Sequence, residues 1–169
     1  GGRFFREIEE NCWDPEVRIK DYERFDTQVQ VICTIPVMFS YDAKPLDGLE
    51  VSRFLNDHIA EICNKYPKNY VGLGTIPMQD SELAVQELER LKTLGLKGIQ
   101  IGSNINDKNL NEEQFFPIWE ACERLDLCVM IHPWNMMGKA QMEKYWLPWL
   151  VGMPAETSRA ICSLIFGGI

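Results

Sequence analysis

Histidine is scarce in this sequence: its 169 residues hold two, His58 and His132. There is no His-x-His and no His-Glu-x-x-His, so neighbouring imidazoles cannot form a metal pair. A Gly-x-Gly-x-x-Gly loop and a P-loop are also missing, which argues against a nucleotide-binding doubly wound sheet. None of the six cysteines forms a Cys-x-x-Cys pair. Apolar runs fall short of the roughly 18 residues that a membrane span needs. The first residues lack the basic-then-apolar pattern of a secretory signal. Positive charge is also short, with 17 Lys and Arg against 25 Asp and Glu, a net charge of −8. That balance excludes the broad basic face of a nucleic-acid or anionic-membrane binder. It leaves room for an anionic small molecule, because one local arginine outweighs a distant acidic surface.

What is present is an alternation of two patterns. Asp14-Pro15 is a helix-start signal, and a short helix is expected from Glu16 to about Arg24. Residues 28–37 read as a buried strand, residues 42–47 as a polar loop, and Leu49 to Lys65 as a helix with Leu55, Ile59 and Ile62 on one face. Tyr70 to Ile76 is a second strand. Asp80 or Ser81 caps a helix that turns Ala84, Leu88 and Leu91 inward and ends at Gly95. Gly98 to Gly102 is a third strand. Asn111 and Gln114 resemble a capping box for a helix carrying Phe115, Ile118, Trp119 and Cys122. Leu127 to Ile131 is a fourth strand, stopped by His132-Pro133. A Trp- and Met-rich segment and a helix opened by Pro154 follow.

Nearly continuous apolar strands separated by amphipathic helices predict a parallel sheet covered by helices, an α/β fold. Four strands fit either an arc of a (β/α)8 TIM barrel or a doubly wound sheet, and alternation alone leaves both open. The six cysteines lie mostly in apolar runs and read as buried free thiols of a reducing compartment, which implies the cytosol.

His132 is the sharpest candidate for chemistry, because it stands where a strand finishes and the carboxyl ends of strands face the active site in such folds. A neutral imidazole there binds a divalent metal or moves protons; the competing reading is a hydrogen-bonded histidine at the sheet rim. His58 reads as a partly exposed helix residue. Arg6, in Phe4-Phe5-Arg6-Glu7, has a guanidinium able to clamp a carboxylate, but reads alone as a surface arginine. Trp134, Trp146 and Trp149 with Met136, Met137, Met142 and Met153 form either core, a subunit interface or an apolar wall over a reaction site. Cys128 reads as core.

Several longer motifs go further. Asn11-Cys12-Trp13-Asp14-Pro15-Glu16-Val17-Arg18, Pro36-Val37-Met38-Phe39-Ser40-Tyr41 and Val71-Gly72-Leu73-Gly74-Thr75-Ile76-Pro77-Met78-Gln79 resemble the 2-amino-3-carboxymuconate-6-semialdehyde decarboxylases of the amidohydrolase superfamily. So do His132-Pro133-Trp134 and the long run from Lys144 to Thr157. The resemblance implies a distorted (β/α)8 barrel and one bound zinc ion. It also implies removal of carbon dioxide from a small-molecule substrate on the kynurenine route of tryptophan breakdown, and a homodimer as the active form. Under it, His132 matches a metal ligand after the fifth strand, Arg6 an arginine that holds a substrate carboxylate, and Trp149 a tryptophan of the pocket wall. The family's His-x-His, acid-base histidine, late aspartate ligand and second substrate arginine have no match in these residues. The expectation is therefore that residues 1–169 are one incomplete barrel domain, inactive alone, an internal fragment of a complete enzyme. Two other roles are weighed beside it: a non-catalytic short form that docks onto the full-length enzyme, and a related decarboxylase or hydrolase acting on another acid.

Overall fold

The computed structural model describes Phe4 and residues 7–169, so Arg6 lies outside the described residues. Helix α1 (Pro15–Glu23) starts as its sequence requires: Asp14 Oδ1 accepts from the backbone N–H groups of Glu16 (2.8 Å) and Val17 (3.0 Å), with proline in the first turn. Strand β1 (Gln30–Ile32) is much shorter than the 28–37 expected. Pro36 has no N–H to give a ladder, and Pro36–Met38 turn into a 3-10 helix, so the apolar run leaves the sheet. Helix α2 (Pro45–Lys65) begins four residues earlier than its apolar periodicity suggests, because Pro45 suits the first helical position.

Strands β2 (Tyr70–Gly74), β3 (Gly98–Gly102) and β4 (Cys128–His132) alternate with helices α3 (Ser81–Thr93) and α4 (Phe116–Arg124). Asp80 caps α3 through Leu83 N–H (3.0 Å). The expected Asn111–Gln114 capping box does not form: Gln114 Oε1 accepts from Lys108 Nζ (2.6 Å), and α4 starts from a 3-10 turn with proline in its first turn. A single π-helical turn (Pro148–Gly152) leads into α5 (Met153–Gly167).

All strand pairs are parallel, in the order β1-β2-β3-β4. Sequential order without reversal is the connectivity of a barrel arc, and the four strands with flanking helices form half of a (β/α) barrel. Ile99 and Ile101 of β3, fully buried, pack with Leu88 and Leu91 of α3 and Ile118 of α4 in one core, against which Val129 and Ile131 also lie. Burying each such aliphatic side chain is worth about 1.5–3 kcal/mol. Gly72 lets α2 sit close: a Cβ there would lie 2.6 Å from Ile59 Cγ2 and from Leu96 Cδ2.

Strand alternation fixes the other face. Gly98, Gln100 and Gly102 of β3 pair with Cys128, Met130 and His132 of β4, and all six positions project to the side away from the helices, the inside of the barrel. Cys128, read from sequence as core, is therefore exposed. Only Cys122 of the six cysteines is buried; all six are free thiols.

Candidate active site

Three connections shape the carboxyl end of the sheet. The first brings Phe39 and Tyr41 to the strand ends, where their rings stack at 5.3 Å and Trp134 meets Phe39 edge-on at 5.6 Å. Tyr41 is 2 % exposed, and its hydroxyl accepts from Gly102 N–H (3.0 Å). Burial pushes that hydroxyl well above the usual phenol range, which outweighs the opposite effect of the Gly102 N–H, so it stays protonated at neutral pH.

The second connection leaves β3 as Ser103-Asn104, both buried. The third leaves β4 at His132. Its Nδ1 lies 2.8 Å from Pro133 O, and because a carbonyl only accepts, Nδ1 carries the proton. Nε2 then keeps its lone pair, which is the state a metal ligand needs. Among the described residues no group of three or more His, Cys, Asp or Glu could hold a metal ion. His132 thus fits a metal site as one ligand, and the described residues do not supply a set of three around it.

Sequence reasoning missed a buried network beside His132. Glu156 on α5 is fully buried and accepts from Ser103 Oγ (2.9 Å), Asn104 Nδ2 (3.2 Å), Met137 N–H (2.9 Å) and Arg159 Nη2 (2.7 Å). Burial pushes its carboxyl upward, but the Met137 N–H, the Ser103 hydroxyl and Arg159, by its hydrogen bond and its charge, together outweigh burial and hold it below the usual carboxylate range. The available signal was the polar pair Ser103-Asn104 directly after an apolar strand, at the functional end of the sheet. One level below His132 inside the barrel, Gln100 Oε1 is buried without a hydrogen-bond partner. Thr75 Oγ1, directly after the neighbouring strand β2, is likewise buried and unpartnered.

The other sequence candidates separate. Trp134 and Met142 pack inward, whereas Trp149 on the π-helical turn is 53 % exposed and meets Trp146 edge-on at 4.8 Å. His58 is exposed on α2, as expected of a helix-surface histidine. It helps line a groove with Trp13, Arg18, Ile32 and Cys33 between the first helices and β1.

A parallel half-barrel with a tautomer-fixed imidazole at a strand's carboxyl end defines the class, a (β/α)-barrel scaffold with a candidate metal ligand at its catalytic end. Comparison with known proteins narrows this. Residues 11–169 match the family model described as amidohydrolase, and the chain belongs to that family. It is 59% identical over 169 residues to the 2-amino-3-carboxymuconate-6-semialdehyde decarboxylase of Dictyostelium discoideum, covering 99% of this chain and 47% of that protein. Against the Caenorhabditis elegans protein of the same name it is 36% identical, covering 99% of this chain and 54% of the relative. The chain therefore spans about half the length of the curated relatives it matches. A solved structure of a 5-carboxyvanillate decarboxylase from Novosphingobium aromaticivorans, with bound manganese, superposes with a TM-score of 0.82 at 29% identity, over 95% of this chain and 49% of that one. The 5-carboxyvanillate decarboxylase of Sphingomonas paucimobilis gives 0.82 at 26% identity, over 88% and 45%. No helix among the described residues is long and apolar enough to cross a membrane.

Proposed function

We propose that this chain is the part of a metal-dependent decarboxylase barrel that supplies one metal ligand and part of the pocket wall, and that the complete enzyme decarboxylates 2-amino-3-carboxymuconate 6-semialdehyde. The observation that carries this reading is His132 at the outlet of β4, its Nδ1 2.8 Å from Pro133 O and its Nε2 without a hydrogen-bond partner among the described residues. The 59% identity to a decarboxylase of that name supports the substrate.

His132 is assigned as a ligand of zinc, an ion that when bound supplies Lewis-acid polarisation to the site. Arg6 is assigned to orient a substrate carboxylate through two parallel hydrogen bonds. Trp149 is assigned to the apolar wall, where excluding water strengthens charge interactions inside the pocket. Residues 1–169 are then one part of a single barrel domain, inactive without the strands that close it. The working state is a cytosolic homodimer.

The test is made on the full-length protein that carries this sequence. It should release carbon dioxide from 2-amino-3-carboxymuconate 6-semialdehyde, lose activity to a chelator and regain it with zinc. His132→Ala should abolish both metal retention, read by elemental analysis, and turnover. Turnover of 5-carboxyvanillate in place of the semialdehyde would replace this reading with a related aromatic-acid decarboxylase. Retention of stoichiometric metal by His132→Ala would remove His132 from the site.

A further inference from the structure

A continuous chain of hydrogen bonds runs from the buried carboxylate of Glu156 to the imidazole of His132. Glu156 Oε2 accepts from Ser103 Oγ at 2.9 Å. Ser103 Oγ in turn accepts the N–H of Trp134 at 2.9 Å. That N–H belongs to the same planar peptide unit as the carbonyl of Pro133, so pinning one end aims the other. Pro133 O points at His132 Nδ1, 2.8 Å away. The serine has a single proton and two candidate acceptors, Glu156 Oε2 and, at 3.1 Å, Trp134 O. The carboxylate is the stronger acceptor, and Trp134 O is served at 2.7 Å by Asn104 Nδ2. Ser103 N–H also holds His132 O at 2.9 Å, which fixes the backbone on the near side of the ring. Every group in this chain is therefore oriented by its neighbour.

We propose that Glu156 and Ser103 are positioning residues for His132: acting through the Pro133–Trp134 peptide, they hold the imidazole in the tautomer that presents Nε2 to a metal ion. The inference rests on the assignment of His132 as a ligand. Neither side chain hydrogen-bonds the imidazole itself; both act on it through that peptide. A peptide carbonyl alone would swing with the post-strand segment, because Pro133 has no N–H with which to continue the ladder. Anchoring that segment to a buried carboxylate, itself neutralised by Arg159 (2.7 Å), turns a mobile loop carbonyl into a fixed acceptor. Partners one step removed from a metal-binding imidazole are commonly worth 10–100-fold in metal affinity.

The test is a nitrogen-15 NMR spectrum of His132 in the metal-free full-length protein, from which the ring tautomer is read directly. The parent protein should show the Nδ1–H form. Ser103→Ala and the near-isosteric Ser103→Cys should show mixed tautomers and about 10–100-fold weaker zinc binding. Ser103→Thr, which keeps the hydroxyl, should restore both. Glu156→Gln should weaken zinc binding in the same direction, and adding it to Ser103→Ala should cost little more, because both act through one chain of bonds. A purely packing role would lower thermal stability without moving the tautomer. Pure Nδ1–H spectra in Ser103→Cys and Glu156→Gln, either of which suffices should Ser103→Ala not fold, would overturn the proposal. Because the spectrum needs neither metal nor turnover, failure of the decarboxylase reading would be seen separately.

Discussion

At the scale of single residues, burial sorts groups of the same kind. Burial, with a smaller contribution from Cys128, pushes the Cys122 thiol up to about 11. At pH ~8 only about one molecule in a thousand then carries the reactive thiolate. Cys12, Cys128 and Cys162 are exposed. A maleimide followed by mass spectrometry should therefore label those three first and Cys122 last, and early labelling of Cys122 would contradict its place in the core. Glu156 shows the opposite balance, since its donors outweigh burial and lower its pKa. A carboxyl whose folded value lies below its unfolded value of about 4.3 adds stability at higher pH, and that gain is lost as pH falls through the folded value. Glu156→Gln should accordingly lower the urea midpoint at neutral pH and converge on the parent protein in acid, as unfolding curves at the two pH values would read. The placement of His132 at a strand's end was legible from the proline that follows it. The Glu156 network was not, because Ser103 and Asn104 lie more than fifty residues from Glu156 and no sequence period links them.

At the scale of elements, the apolar runs of β2, β3 and β4 were legible because each has helices packed on it. The run at 28–37 carried the same signal but pairs over three residues only, since burial and not composition decides where a strand continues. Val29, Val31, Ile35 and Val37 of that run are all exposed. The junction of α2 with β2 depended on a buried polar pair that periodicity does not reveal. Asn56 on α2, fully buried, accepts from Thr75 N–H (2.8 Å) and donates to Thr75 O (2.9 Å) and Glu87 Oε1 (2.7 Å). Asn56→Leu removes the partners of both Thr75 backbone groups and one partner of the Glu87 carboxylate. Leaving buried polar groups unmet costs about 1–3 kcal/mol each, so a loss of at least ~2 kcal/mol is expected by denaturant unfolding. A loss within ~0.5 kcal/mol would mean that water replaces the amide. Between β3 and β4 the constraint is steric. A Cβ at Gly98 would lie 2.2 Å from Cys128 O and 2.4 Å from Cys128 Sγ.

At the scale of the whole molecule, the inner face of the half-barrel is uncovered. Val31 of β1 is 60% exposed and Met130 of β4 is 37% exposed, yet in a closed barrel such inward positions are filled layers of side chains. Among the described residues the outer strands β1 and β4 also each pair on one side only, which leaves rows of N–H and C=O groups open to a further strand. Helices pack on the outer face, and the inner face and the two sheet edges are what four more strands would meet. The 169-residue chain alone should therefore bind a fluorescent apolar dye and self-associate as concentration rises. Adding the remainder of a full-length relative's barrel as a separate polypeptide should suppress both, because strand pairing and inner-layer packing replace solvent at the same positions. Amide exchange gives the local reading: protection along Cys128–His132 should rise on adding that partner, while α3, already buried against β3 and α4, should change little. Strong protection of β4 in the isolated chain, without association, would mean that the sheet closes by some other route and that the barrel arc is the wrong frame for His132.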